Sequence, residues 1–179
     1  MNNLSYIKEK IRTIPDWPKT GIMFRDITSL LSDPKGLKLT IEELAKRYQD
    51  HEIDMICGIE ARGFIVGAAL AYHMNLGFTP LRKKGKLPGK TISQDYQLEY
   101  GTDTLEIQED AFARGSKILL VDDLLATGGT ALGANTLIEK IGGQVIEACF
   151  IVDLPDLGGG VKLKQAGITW HALIDFEGD

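Results

Sequence analysis

Ile118-Leu119-Leu120-Val121-Asp122-Asp123-Leu124-Leu125-Ala126-Thr127-Gly128-Gly129-Thr130 decides how this chain folds. An apolar run passes into two carboxylates, then into small residues and hydroxyls, then into a segment with helical spacing. That is a buried strand, a tight turn and a helix start, half of a strand–helix–strand unit. The turn has the composition of an anion cradle. Ala126, Thr127, Gly128, Gly129 and Thr130 offer successive backbone N–H groups with little side-chain bulk, Thr127 and Thr130 add hydroxyls, and the positive end of a helix dipole points at the same spot. No Gly-Lys-Ser/Thr follows, so the loop is not a nucleoside-triphosphate cradle; a single terminal monophosphate suits it better. Asp122 and Asp123 would repel a phosphate set directly against them. A sugar in between removes the conflict, because its hydroxyls donate to carboxylates, and carboxylates so placed stabilise positive charge developing at the anomeric carbon. Helix capping would account for one aspartate but not for both.

Outward from this unit, strands and helices alternate. The pattern predicts strands at 53–59, 78–82, 96–100, 104–108, 117–121, 145–152 and 168–176, with helices at 64–73 and 130–141, the latter stopped by Gly142-Gly143. Near the start, Leu4, Ile7, Ile11 and Ile14 predict one helix ending near Pro15. Asp33-Pro34 opens a second helix, with Leu37, Ile41, Leu44, Ala45 and Tyr48 as its apolar stripe. Gly158-Gly159-Gly160 reads as a flexible loop. The order predicts an α/β fold with a central, mostly parallel sheet flanked by helices on both faces, and ligands at the carboxyl ends of its strands. One domain is expected, 1–179, with 1–33 as a small N-terminal appendage and 34–179 as the core.

With 179 residues, 44% of them hydrophobic, and a net charge of −5, the chain can bury a core and is not globally disordered. Two cysteines, Cys57 and Cys149, supply no disulfide framework, which favours a reducing cytoplasm. No apolar run is long enough for a membrane span, and the spacing of His51, His73 and His171 suits no zinc site. Charge is uneven: Arg82, Lys83, Lys84, Lys86 and Lys90 form an acid-free basic stretch in a chain with 20 Lys+Arg against 25 Asp+Glu. A local anion site fits that contrast better than a nucleic-acid surface, with a solvated loop as the open alternative. In Gly58-Ile59-Glu60-Ala61-Arg62-Gly63-Phe64 two glycines bracket Arg62, whose guanidinium can grip phosphate oxygens in pairs; a tight turn with an exposed arginine is the other reading.

The run from Val121 to Thr130 resembles the diphosphoribosyl-binding motif of the type I phosphoribosyltransferases, in the form carried by members that act on adenine. Gly21-Ile22-Met23-Phe24-Arg25-Asp26-Ile27-Thr28, the Gly58 to Phe64 segment, Arg82-Lys83-Lys84-Gly85-Lys86-Leu87-Pro88-Gly89 and Leu98-Glu99-Tyr100-Gly101 are similar to that family's segments, in its order. The resemblance implies the family's fold, with 1–33 as a hood over the base and 82–100 as a flexible loop over the site. It implies purine salvage, the 5-phosphoribosyl group passing from 5-phosphoribosyl 1-diphosphate to adenine to give AMP and diphosphate, with Mg²⁺ carried mainly by the diphosphate sugar. Asp122, Asp123, Ala126, Thr127, Gly128, Gly129 and Thr130 would bind that sugar. Arg62 and Lys83 would act on its diphosphate, Lys83 across the interface of a homodimer, and Glu99 would manage the proton of the purine imidazole. Met23, Phe24, Arg25 and Leu124 would form the adenine site. Backbone groups of Met23 and Arg25 would read the base edge, and Met23 and Leu124 would sandwich the ring. Ala61 stands where the family commonly has Ser, and Thr20 where it often has Pro. Family members acting on xanthine, hypoxanthine-guanine or orotate are the alternatives, as is a non-catalytic sensor of the diphosphate sugar that binds nucleic acid. The sequence pI of about 5.3 speaks against the sensor.

Overall fold

The computed structural model describes residues 2–97 and 101–178. Helix α1 (Asn3–Lys10) starts where the Asn2 side chain accepts a hydrogen bond from the Ser5 N–H at 2.8 Å. It ends earlier than the apolar spacing predicts. Ile11 turns to extended backbone, and β1 (Arg12–Pro15) pairs antiparallel with β2 (Met23–Asp26), so Ile14 lies opposite Phe24 in a two-stranded ribbon. Here a partner strand distant in sequence overrides local periodicity. A single turn, α2 (Thr28–Leu31), then leads to α3 (Pro34–Tyr48). This helix opens as its sequence predicts: Asp33 accepts from the Gly36 N–H at 2.7 Å, and Pro34 takes the first helical position, where no N–H is needed.

The main sheet comprises β3 (Met55–Ile59), β4 (Gly77–Lys83), β5 (Thr91–Gln97), β6 (Thr102–Gln108), β7 (Lys117–Val121), β9 (Gln144–Asp153) and β10 (Trp170–Asp175), with a short β8 (Leu124–Leu125) on β9. Its order is β10-β9-β7-β3-β4-β6-β5, parallel from β10 to β4 and antiparallel across β6 and β5. Helix α4 (Arg62–Met74) follows β3, α5 (Gly129–Lys140) follows β8, and α6 (Gly159–Gln165) precedes β10. The mostly parallel α/β sheet matches the expectation.

Two segments differ from their sequence reading. Residues 91–95, expected to be irregular, belong to β5, paired residue for residue with β6 from Thr91–Gln108 to Gln97–Thr102. Polar side chains hid this strand, since one of its faces meets water. The triple glycine is not a loop either. A short 3₁₀ turn (Pro155–Leu157) ends at Gly158, and Gly159 and Gly160 open α6. A Cβ on Gly159 would lie 2.3 Å from the Ala126 carbonyl oxygen, and one on Gly160 would lie 2.3 Å from the Trp170 ring. Glycine is needed there for contact, not for looseness.

Strand alternation divides the core between the two faces. On β7, Leu119 and Val121 pack with Ile7, Leu30, Leu44, Tyr48, Val66 and Leu70, on the face of α1, α3 and α4. Ile118 and Leu120 pack with Leu105, Ile107, Leu137, Ile138 and Leu163, on the face of α5 and α6. Both cysteines are buried strand residues and free; burial pushes the Cys149 thiol up to about 12 and the Cys57 thiol higher still. The helices leaving the adjacent strands β3 and β7 therefore go to opposite faces. This opens a crevice at their carboxyl ends, the place where open α/β sheets take ligands. Among the described residues no helix is long and apolar enough to cross a membrane.

Candidate active site

Both helices that open on this crevice start without a side-chain cap. Gly128 precedes α5 and Ala61 precedes α4, and neither end carries a capping hydrogen bond. Capping is thus not what Asp122, Asp123, Thr127 and Thr130 do. The first-turn N–H groups of α5 have no acceptor inside the helix and face the crevice with the dipole's positive end. Gly128 takes φ +79°, a left-handed conformation, with its Cα side against the backbone of Gly159. On the opposite flank the Gln97 carbonyl oxygen lies so near the Cα of Gly129 that a Cβ there would stand 2.0 Å from it. The cradle is clamped between α6 and the end of β5.

Arg62 and the aspartates meet directly. The Arg62 Nε donates to the Asp123 carboxylate at 2.5 Å, and Asp123 is only 5% exposed. Asp123 is further fixed by its backbone, whose carbonyl accepts from the N–H groups of Ile151 and Val152. Gly63 allows the approach, since a Cβ there would meet the Val121 carbonyl oxygen at 2.8 Å and the Asp122 carboxylate at 3.0 Å. Burial, and then the neighbouring Asp123 charge, push the Asp122 carboxyl well above the ordinary carboxylate range. A carboxyl whose folded-state pKa is raised costs stability as pH climbs above the unfolded-state value near 4. Asp122→Asn is therefore expected to raise the melting temperature at pH 7.5 and leave it nearly unchanged at pH 4, while weakening sugar binding. Thermal denaturation at the two pH values checks this; equal shifts at both would remove the charge-burial cost.

Lys83, at the end of β4, sets its Nζ 3.1 Å from the Asp103 carboxylate. Asp103 also accepts from the Tyr96 hydroxyl at 3.4 Å. Tyr96 is 8% exposed, its phenol pushed up to about 12 by burial and then by Asp103, and its ring lies against Gly133 of α5. Glu60 ties the loop after β3 to this region, accepting from the Lys83 N–H at 2.8 Å and from the Arg82 Nε at 3.3 Å. The Glu60–Ala61 peptide is cis. Glu60 belongs to the same motif as Arg62, whereas Tyr96 and Asp103 become neighbours only through the β5–β6 register and carry no local signal.

The base-site candidates lie on β2 and β8. Pro15 has no N–H, so the Pro15–Met23 pair cannot exchange two ladder bonds. Antiparallel alternation then makes Ile14–Phe24 the doubly bonded pair, and the N–H and C=O of Met23 and Arg25 point off the open edge of β2. Phe24 packs on Trp17 at 4.4 Å between ring centroids, Met23 is exposed, and Leu124 joins the α3–α4 face of the core. Asp26, ending β2, is held below the usual carboxylate range, first by the Thr28 hydroxyl and in part by the Arg12 and Arg62 charges. Glu99 lies outside the described residues.

An uncapped, glycine-rich helix start beyond two aspartates, with Arg62 bonded to Asp123, stands at the carboxyl ends of a mostly parallel sheet, and the comparisons with known proteins assign that arrangement to the phosphoribosyl transferase class. The model of the phosphoribosyl transferase domain matches residues 26–166. An adenine phosphoribosyltransferase of Prosthecochloris aestuarii is 58% identical over 97% of this chain and 99% of its own length. The crystal structure of adenine phosphoribosyltransferase from Thermoanaerobacter pseudethanolicus superposes with a TM-score of 0.92 at 48% identity, covering 97% of this chain and 99% of that one. The Saccharomyces cerevisiae enzyme, solved with an imino-altritol bisphosphate and adenine, gives 0.89 at 35% identity over 96% and 98% of the two chains. The chain belongs to the adenine phosphoribosyltransferase family of type I phosphoribosyltransferases.

Proposed function

We propose that this protein transfers the 5-phosphoribosyl group of 5-phosphoribosyl 1-diphosphate to adenine, releasing diphosphate and AMP. The observation that carries this reading is the uncapped α5 start directly beyond Asp122 and Asp123, with Arg62 within hydrogen-bond reach of Asp123. The 5′-phosphate sits on the N–H groups and hydroxyls of Ala126, Thr127, Gly128, Gly129 and Thr130. The ribose hydroxyls donate to Asp122 and Asp123. Arg62, relieved of Asp123 by those hydroxyls, turns to the diphosphate. As the bond from the anomeric carbon to diphosphate lengthens, the ring gains oxocarbenium character and the aspartates offset its charge. Adenine N9 closes on the same carbon, and Glu99 takes up the imidazole proton.

Among the described residues no group of three or more His, Cys, Asp or Glu converges on a point. The hard oxygens of Asp122 and Asp123 fit an ion held mostly by water and the sugar's own oxygens. Mg²⁺, carried in with the diphosphate sugar, would supply charge neutralisation for the leaving diphosphate, with Asp122 and Asp123 as the nearest protein oxygens to hold it.

Adenine is read by backbone. On the open edge of β2 a carbonyl accepts from the 6-amino group and an N–H donates to N1. Hypoxanthine reverses both and leaves two groups unpaired, a discrimination of about a hundredfold or more. Incubation with Mg²⁺, the diphosphate sugar and adenine, hypoxanthine, guanine, xanthine or orotate in turn is expected to yield nucleotide from adenine only. Efficient turnover of a 6-oxopurine instead would overturn the base assignment.

The working unit is a homodimer. Ile65 and Tyr72, 50% and 89% exposed, share one side of α4 with Ala69, an apolar stripe on the helix whose first residue is Arg62. In this reading a second copy seats on that stripe and supplies its own Lys83 to the crevice.

A further inference from the structure

The Arg25 side chain is held by its ribbon neighbour Thr13 and by the far end of the chain. Its Nη1 donates to the Thr13 hydroxyl at 2.6 Å, and its Nη2 lies 3.2 and 3.3 Å from the carbonyl oxygens of Glu177 and Gly178. The guanidinium carbon stands 4.6 Å from the centre of the Phe176 ring, which Lys8 also approaches, at 4.9 Å. Residues 176–178 are themselves anchored to the frame of the site. The Phe176 N–H donates to the Asp153 carbonyl at 3.0 Å, and the Gly178 N–H to the Asp156 carboxylate at 2.8 Å. Asp153 ends β9 opposite Leu125 of β8, and Asp156 sits in the turn that leads to Gly159, the residue against the cradle.

We propose that residues 176–178 form a strap that positions the base-reading strand β2 relative to the phosphate cradle, with the Arg25 guanidinium as its point of attachment. The inference rests on the adenine reading above and assigns the Arg25 side chain a positioning role, separate from the backbone groups of the same residue that face the base. The physical need is plain. The β1–β2 ribbon has four residue pairs and is not hydrogen-bonded to the main sheet, and a lone two-stranded ribbon is marginal in water. Backbone readout of a purine edge demands that β2 be held to fractions of an ångström, since each hydrogen bond weakens steeply off its geometry. A cation–π contact and charge-assisted bonds to two carbonyls, all across about 150 residues of sequence, supply that hold.

The test is steady-state kinetics of Phe176→Ala, Phe176→Tyr and Arg25→Met, with adenine and the diphosphate sugar varied separately. Phe176→Ala and Arg25→Met are expected to raise the KM for adenine roughly five- to tenfold, with the KM for the diphosphate sugar and kcat within about twofold of wild type. Phe176→Tyr, which keeps the ring, is expected to behave as wild type. Amide hydrogen exchange across 23–26 is expected to quicken in Phe176→Ala without any substrate. An unchanged adenine KM, or an equal rise in both KM values, would overturn the strap. Should the wild type fail to use adenine at all, the base reading falls, and exchange in β2 still decides the strap: unchanged protection in Phe176→Ala ends it.

Discussion

Gly128→Val is expected to lower kcat/KM by about a thousandfold or more, the scale of losing a pre-formed anion site of several kcal/mol. Two independent facts converge on this residue. Its φ of +79° is one that a β-branched side chain adopts only under strain, and a Cβ would stand 3.1 Å from the Gly159 carbonyl oxygen, with the valine methyls beyond it. The turn must then shift, and the N–H groups of Gly129 and Thr130 no longer converge. The strain costs about 1–3 kcal/mol of stability, so the melting temperature falls by several degrees while the far-ultraviolet circular dichroism stays native. The measurement is turnover at saturating adenine together with ribose 5-phosphate binding by calorimetry. Turnover within tenfold of wild type would show that the phosphate is held elsewhere.

Lys83→Ala is expected to cost about a hundredfold in kcat/KM for the diphosphate sugar, with a much smaller effect on adenine binding, because the ammonium is matched to the leaving diphosphate. Mixing decides where it acts. If Lys83 serves the partner's site, a hybrid of a Lys83→Ala subunit with a Gly128→Val subunit holds one complete site: the intact cradle of the first, served by the lysine of the second. Random exchange gives half hybrids with one working site of two, so roughly a quarter of wild-type activity returns on mixing two inactive variants. If Lys83 acts within its own subunit, neither site of the hybrid is complete and no activity returns. In the structure the lysine rests on Asp103, a half-exposed pair, a contact that a competing diphosphate can replace at small cost.

Wherever residues close in sequence act together, the sequence alone determined the outcome. The run from Ile118 to Thr130 specifies strand, glycine turn and helix in order, because each of these depends on its neighbours' propensities and on one period of alternation, while the two-residue β8 inside it exists only through pairing with β9. The start of α3 was legible for the same reason: Asp33 and Pro34 complete a helix start within three residues. The extension of the first helix through Ile14 was not, because helical spacing and strand alternation are indistinguishable over four residues, and Phe24 arbitrates from ten positions away.

What only the tertiary structure decided are the contacts between distant segments: Arg62 on Asp123, Lys83 on Asp103 beside Tyr96, Gly159 against the cradle, and Arg25 held by residues 176–178. None has a local signature, since an arginine or a glycine looks the same whether it meets water or another backbone. The open edge of β2 is the clearest case. Met23 and Arg25 turn their backbone polar groups to that edge because Pro15, across the ribbon, has no N–H to give, and pairing register is a property of two strands rather than of either one.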